Sequence, residues 1–482
     1  MLELLRNIQI REREDFETLP GSAGPACNAD EICARARERF AAAKQTGLTA
    51  LIAEKSAGLR SYDPPAMDRI VAILPWGRSG SLLLASYLDG HDDVLMLPEL
   101  GGRRLYEFFY RYRDLPLGDK LLAYPFFDED DTHFFDGDFA ISPRQYYAAV
   151  KAILASSHRW PADFLQSRRA FVIFVHIAYR LALGKASAGR RPLIVYAQHD
   201  WNIEKARQLV EDWPQSLFIH TVRDPVSSCS GMFGALRDGI ASAFPPPCAL
   251  APYFALLWLT GRDRQQAGTE TQSVALRFED LHRDPEGTMR AVCSRLEIPF
   301  QPALLDSTFN STPYVVKKNG VAWSGRRPQQ IGRQSPYLSR RDRALLYALF
   351  RENFEQWGYS CPDLFKYRIV RCAVAVSLFL VPMKTEILSA REVLKLRIGP
   401  AMRRAEIGPA TKSTLSIILV RLRIMSLLIR GVFGRCALRR ELLPVLSGTP
   451  ARIPEAPSVS QKPPVSEWPP AWLPSQFFDR NP

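Results

Sequence analysis

Two arginines and the glycines around them are the residues whose types and spacing could do chemistry on an anionic group. The run Leu-Pro-Trp-Gly77-Arg78-Ser79-Gly80-Ser81-Leu82 sets two glycines and a cation between a short apolar stretch and an apolar helical one. Such a turn aims backbone N–H groups and the positive end of a helix dipole at an anion. Arg78 adds a planar, permanently charged fork that matches phosphate or sulfonate oxygens. The lysine and glycine spacing of G-x-x-x-x-G-K-[ST] are absent, which disfavours an ordinary ATPase or kinase. By itself the loop reads equally as a plain tight turn. A second cluster, Arg223-Asp224-Pro225-Val-Ser-Ser-Cys-Ser230, puts an arginine at a strand's carboxyl end beside a helix start, a second anion site. An Arg-Asp pair that only caps the helix is its other reading. Two anion sites on neighbouring strands suit a nucleotide phosphorylated at both ends.

The elements that must hold these residues follow from hydrophobic patterning. Residues 70–74 form a β-branched apolar run ended by Pro75, the pattern of a buried parallel strand. Residues 94–97, 193–197, 217–222 and 273–278 read as four more strands. One helix is expected after Asp284-Pro285-Glu286, with Asp284 as cap and proline in the first turn. Another is expected after Ser339, where Asp342 completes an S-x-x-D box, stopping before Gly358. Strands alternating with helices imply an α/β fold: a P-loop type, three-layer α/β/α sandwich around a central parallel sheet, with a basic helical C-terminal extension. The expected divisions are a partly helical N-terminal extension or lid (1–68), the α/β domain (69–365), a basic amphipathic helical segment (366–440) and a proline-rich disordered tail (441–482) whose 42 residues contain ten prolines.

These stretches resemble the sulfotransferases that use 3′-phosphoadenosine 5′-phosphosulfate. GRSGSLLLASYLDGHDDVLMLPE (77–99) is similar to the 5′-phosphosulfate loop, helix and second strand of the bacterial and tyrosylprotein branches. FIHTVRDPVSS (218–228) is similar to the 3′-phosphate motif, and LRFEDLHRDPEGTMRAVCSRLEI (276–298) to a later strand, turn and helix. SRRDRALLYALFRENFEQWGY is similar to the closing helix, so the likeness spans residues 70–359. The resemblance implies that Gly77, Arg78, Ser79, Gly80, Ser81 and Leu82 hold the 5′-phosphosulfate. It implies that Arg223 and Ser230 hold the 3′-phosphate, that Phe278 meets the adenine, and that Glu99, 21 positions after Arg78, is the general base; a structural carboxylate receiving helix N–H groups is the other reading of Glu99. No metal is implied, because arginine and helix N–H groups can carry the developing charge.

Three positions depart from the family pattern. Gly231 stands where a serine is common, with Ser230 one residue short. Gln198-His199-Asp200 replaces a Lys-Thr-Pro, removing a cation that protonated His199 would have to supply. Phe278 keeps the ring of a frequent tyrosine without its hydroxyl. His91 is an alternative base or a helix-capping histidine, and His176 reads as a core residue. The carboxylate-rich stretch within residues 126–139 could bind a cation but lacks calcium-loop spacing and reads as a solvated loop.

Composition narrows the class. At 482 residues, 46% apolar and 11% aromatic, the chain can bury a large core. Its eight cysteines form no CxxC pair, so neither a disulfide framework nor a zinc site is expected, and a reducing compartment fits. The charged opening MLELLRNIQIRERED does not read as a secretory signal, so the cytoplasm is expected. The net charge of +13 resides in residues 366–440, which hold 16 Lys/Arg against 3 Asp/Glu, and not in a nucleic-acid footprint on the domain. Residues 369–383 and 414–440 are apolar but interrupted by arginines, which suggests an anionic membrane surface at the cytoplasmic face and no span. The expected partners are therefore an acceptor (carbohydrate, lipid, peptide or small metabolite) and that surface, without nucleic acid. Two alternatives stay open: a P-loop phosphotransferase, and an inactive scaffold on the same fold.

Overall fold

The computed structural model describes residues 29–44, 47–98, 102, 104–127, 134–185, 192–197, 203–243, 273–318, 321–331 and 337–399, then 403, 414, 418, 421, 422, 424, 425, 445 and 446. Glu99, Gln198, His199, Asp200, the carboxylates at 128–131 and most of the two terminal segments lie outside them.

In chain order the helices α1 (Ala29–Arg39) and α2 (Leu48–Leu59) precede β1 (Ile70–Pro75), which leads into α3 (Ser81–Leu88) and the short β2 (Val94–Leu95). A helical block follows: α4 (Leu105–Arg111), α5 (Leu117–Ala123), α6 (Pro143–Ala155), α7 (Ala162–Gln166) and α8 (Arg168–Ala182). Then come β3 (Leu193–Ala197), α9 (Ile203–Asp212), β4 (Leu217–Val222), α10 (Pro225–Ala243), β5 (Ser273–Arg277), α11 (Phe278–Arg283) and α12 (Pro285–Leu296). Two small hairpins, β6 (Thr308–Phe309) with β7 (Thr312–Pro313) and β8 (Val315–Lys318) with β9 (Val321–Ser324), precede α13 (Arg340–Gln356), α14 (Arg368–Leu380) and α15 (Lys384–Val393). Val445–Leu446 forms β10.

The main sheet runs β10-β5-β4-β1-β3-β2, and every pairing in it is parallel. Burial explains the strands. All six residues of β1 are buried, as are those of β3 and β4, so β-branched side chains face helices on both sides. Strand periodicity sorts them: Ile70, Ala72 and Leu74 join one core cluster, and Val71 and Ile73 the other. These are the two interfaces of a three-layer α/β/α sandwich. Residues 29–67, expected as an extension or lid, instead contribute Ile32, Phe40, Leu59 and Tyr62 to the first cluster, beside α6 and α8. β10, inside the stretch expected to be a tail, pairs with Ala275 and Leu276 at the sheet edge.

Local signals for helix ends appear in atomic detail. The Asp284 carboxylate accepts from the Gly287 N–H at 2.9 Å with Pro285 in the first turn of α12. Ser339 and Asp342 form a reciprocal capping box on α13, and Gly358 beyond its end has φ +68°. The basic extension is fastened to that helix. Arg341 donates to the Ser377 carbonyl at 3.0 Å and to that of Val381. The buried Asp342 carboxylate accepts from the Lys384 N–H at 3.2 Å. Among the described residues no helix is long and apolar enough to cross a membrane.

Candidate functional site

In the sheet order the chain moves from β1 toward one edge and from β4 toward the other, so the crevice at their carboxyl ends is the topological switch point, where open parallel sheets bind ligands. The ladder between them runs to Pro75 and Thr221, and the Trp76 N–H donates to the Thr221 carbonyl at 2.9 Å. The loop carrying Arg78 and the turn carrying Arg223 therefore start side by side.

The first loop is shaped by two glycines in the left-handed region, Gly77 at φ +70° and Gly80 at φ +84°. Gly80 precedes α3, so the N-terminus of that helix faces the crevice. Its missing side chain matters: a Cβ there would lie 2.7 Å from Cδ2 of Phe278. Ser79 is 1% exposed. Its hydroxyl accepts from the Trp76 N–H at 3.1 Å and bonds the Thr221 hydroxyl at 2.9 Å. It ties the loop to β4 and is turned away from the crevice, unlike the anion-facing role that the resemblance implied. Ser81 and Leu82 are the first two residues of α3, with Ser81 5% exposed and Leu82 half-buried.

Arg78 is exposed to solvent yet enclosed by protein on its flanks, as in an open cleft, and that enclosure pushes its pKa down from the usual arginine value. Solvent reaches it directly and arginine deprotonates only far above neutrality, so it is a cation here. Among the described residues no carboxylate pairs with it.

Arg223 is half-buried and donates from Nη1 to the Arg78 carbonyl at 3.2 Å. Its guanidinium carbon lies 4.2 Å from the centroid of Phe278, a cation–π geometry. Desolvation lowers its pKa, opposed by the carboxylates of Glu279 and Asp224. Asp224 caps α10, accepting from the Ser227 N–H at 2.7 Å. The two readings of the Arg-Asp pair thus divide between the residues: Asp224 caps, and Arg223 lies in the crevice. Ser230 is half-buried on the second turn of α10.

Gly231 closes the arrangement. A Cβ there would sit 3.3 Å from Cβ of Arg78 and 3.8 Å from Nη1 of Arg223. The absent serine is therefore replaced by the space that lets both arginines pass the same face of α10. β5 ends at Arg277, one residue before the expected strand end, and Phe278 begins α11 directly after it with only 8% of its surface exposed. It is a platform under Arg223 and leaves little ring surface open to a base.

A carboxylate that sequence reasoning did not single out lies beneath. Glu279, 4% exposed, accepts from the Asp224 N–H at 3.2 Å and from the Tyr359 hydroxyl at 2.5 Å. Burial pushes its pKa up while these donors and Arg223 pull it down. Its only sequence signal was the EDL string after β5. His282, 4.3 Å from Phe278 between ring centroids, is pushed down to about 4 chiefly by desolvation, so it is neutral, and its Nδ1 accepts from the Arg327 N–H at 2.8 Å. His91 is structural: Nδ1 accepts from the Asp93 N–H at 3.0 Å, and Nε2 donates to the Pro299 carbonyl at 2.8 Å. Among the described residues no cluster of His, Cys, Asp or Glu could hold a metal ion.

Residues 71–302 match the model of the sulfotransferase family, which spans β1 through α12 and includes both arginine sites. No curated protein matches the chain. Similar solved structures include the sulfotransferase domain of the Synechococcus PCC 7002 olefin synthase, at 20% identity over 61% of this chain and 96% of that one, with a TM-score of 0.34. The sulfotransferase domain from the curacin biosynthetic pathway matches at 16% identity over 61% and 99%, TM-score 0.32. A sulfotransferase from Mycobacterium avium matches at 12% identity over 70% and 88%, TM-score 0.32. At such identities and TM-scores these neighbours add nothing to the assignment, which rests on the family match. Residues 71–302 of this chain thus match the sulfotransferase family, on a parallel α/β sheet.

Proposed function

We propose that the protein transfers a sulfonate group from 3′-phosphoadenosine 5′-phosphosulfate to a hydroxyl or amine of an acceptor. The observation that carries this reading is the convergence of Arg78 and Arg223 on one face of α10, linked through the Arg78 carbonyl and spaced by Gly231. Two cations at a switch point, beside a helix N-terminus, fit a ligand anionic at two places. The nucleotide supplies the activated sulfonate. Arg78 and the N-terminal peptide groups of α3 stabilise charge gathering on the departing phosphate oxygen. Arg223, held from below by Phe278, anchors the 3′-phosphate. Glu99 takes the acceptor's proton and His199 meets the sulfonyl oxygens; both roles rest on sequence alone, because these residues lie outside the described ones.

Calorimetric titration with adenosine 3′,5′-bisphosphate tests the proposal. Magnesium-independent binding is expected, with Arg78→Ala and Arg223→Ala each weakening it by about 10- to 100-fold, the worth of one charged hydrogen-bonding group. Preference for ATP with magnesium would point to a phosphotransferase. Absence of binding would point to an inactive scaffold.

A further inference from the structure

The protein's excess positive charge and its exposed apolar side chains fall on the same segment, which the sulfonate chemistry does not use. Residues 366–440 carry 16 Lys/Arg against 3 Asp/Glu, matching the net +13 of the whole chain. Among the described residues, nine of the twelve exposed large apolar side chains lie between Leu364 and Leu422, so the patch is local and not the scattered surface apolarity of any protein.

Its layout is amphipathic. On α14, Ile369 (78% exposed), Ala373 and Val376 (50%) recur at i, i+4 and i+7, one face of a helix. Ile387 on α15 and Leu394 just past its end are exposed at i and i+7, with the exposed cation Arg391 between them. Tyr367, 66% exposed, stands at the entry to α14. Exposed Arg368, Lys384 and Lys395 lie close to these apolar positions along the chain. Glu386 opposes none of them, being buried and bonded to Arg421 at 2.8 Å and to the Met383 N–H at 2.7 Å. The clamp of Arg341 and Asp342 on these helices holds the face in a set orientation to the domain.

We propose that this face docks the protein on an anionic lipid bilayer. Helices of 13 and 10 residues are too short to span one, so they lie in the interface with aliphatic side chains in the acyl boundary and arginines and lysines among the headgroups. A nucleic acid would satisfy the charges but leave the aliphatic row in water. A second copy would set like charge against like. Each basic residue near an anionic surface contributes about 1 kcal/mol.

The test is flotation of the full-length protein with vesicles of phosphatidylcholine alone or with about 30% phosphatidylserine, at about 50 and 500 mM salt. Binding to the anionic vesicles is expected, at least about 10-fold weaker to the neutral ones and weakened by salt. Arg368→Gln/Lys384→Gln/Lys395→Gln and, separately, Ile369→Glu/Val376→Glu should each lower lipid affinity about 10-fold or more. A circular-dichroism melt checks folding, and the basic-to-glutamine variant decides if the glutamate variant does not fold. Equal partition to both vesicle types, no flotation, wild-type affinity in the glutamine variant, or a dimer in light scattering that Ile369→Glu dissolves would each overturn the proposal.

Discussion

Gly80→Ala probes the central geometry with a single methyl group. Gly80 sits at φ +84°, where an L residue costs about 1–2 kcal/mol. The new Cβ would lie 2.7 Å from Cδ2 of Phe278, well inside carbon–carbon contact. That ring cannot retreat freely, because it is 8% exposed, packs on His282 and carries Arg223. Overpacking of this kind costs about 1–3 kcal/mol. Together the two effects destabilise the fold by about 2–5 kcal/mol, and adenosine 3′,5′-bisphosphate affinity falls as Arg223 shifts. The two contributions separate in a double-mutant cycle read by urea unfolding. With Phe278→Ala in place the collision disappears, so Gly80→Ala should cost only the backbone strain, leaving a coupling of about 1–3 kcal/mol. An equal cost in both backgrounds would refute the packing of Phe278 on the loop.

Two further outcomes are expected. Gly231→Ser should change stability by less than about 0.5 kcal/mol, since helix propensity improves while Cβ presses on Arg78, and should weaken the bisphosphate about 3- to 10-fold; a tighter complex would mean that Arg78 yields and the new hydroxyl reaches the ligand. His176 is 2% exposed and pushed down to about 4 by desolvation. Its Nδ1–H donates to the Val172 carbonyl at 2.8 Å in the neutral form. Because the unfolded chain gains its proton near pH 6.5 and the folded chain only near 4, stability falls as pH drops through that window, by about 3 kcal/mol at its lower end. His176→Gln should flatten the acid limb of stability against pH by that amount. Asp89, pushed up to about 6 by burial, acts in the opposite sense and cancels in the comparison. An unchanged limb would refute the neutral assignment.

What was legible in the sequence was legible because it is local. β1, β3 and β4 are continuous apolar runs since both of their faces are buried. The caps at Asp284 and Ser339 were readable from spacing alone, because each side chain bonds an N–H three residues away. The glycines of the 77–81 loop were readable for the same reason: the loop turns through positive φ at Gly77 and Gly80, a conformation that glycine takes without steric cost. The strand expected at 94–97 pairs only over Val94–Leu95, because its ladder to β3 stops there, and the two-residue β10 carries no such pattern and forms at the edge that β5 offers.

The sequence by itself determined the residue types of two anion sites, the strand–loop–helix units that present them, and the placement of the net charge in one C-terminal segment. Tertiary structure decided the rest. It set β4 beside β1, turned Ser79 inward onto Thr221, made Gly231 the gap between two arginines, and turned Phe278 into a platform under Arg223. Each of these relations includes a pair of positions more than fifty residues apart, Gly231 with Arg78 and Phe278 with Arg223 among them, where neither spacing nor periodicity carries information. Packing alone selects which of the available polar and apolar faces meet.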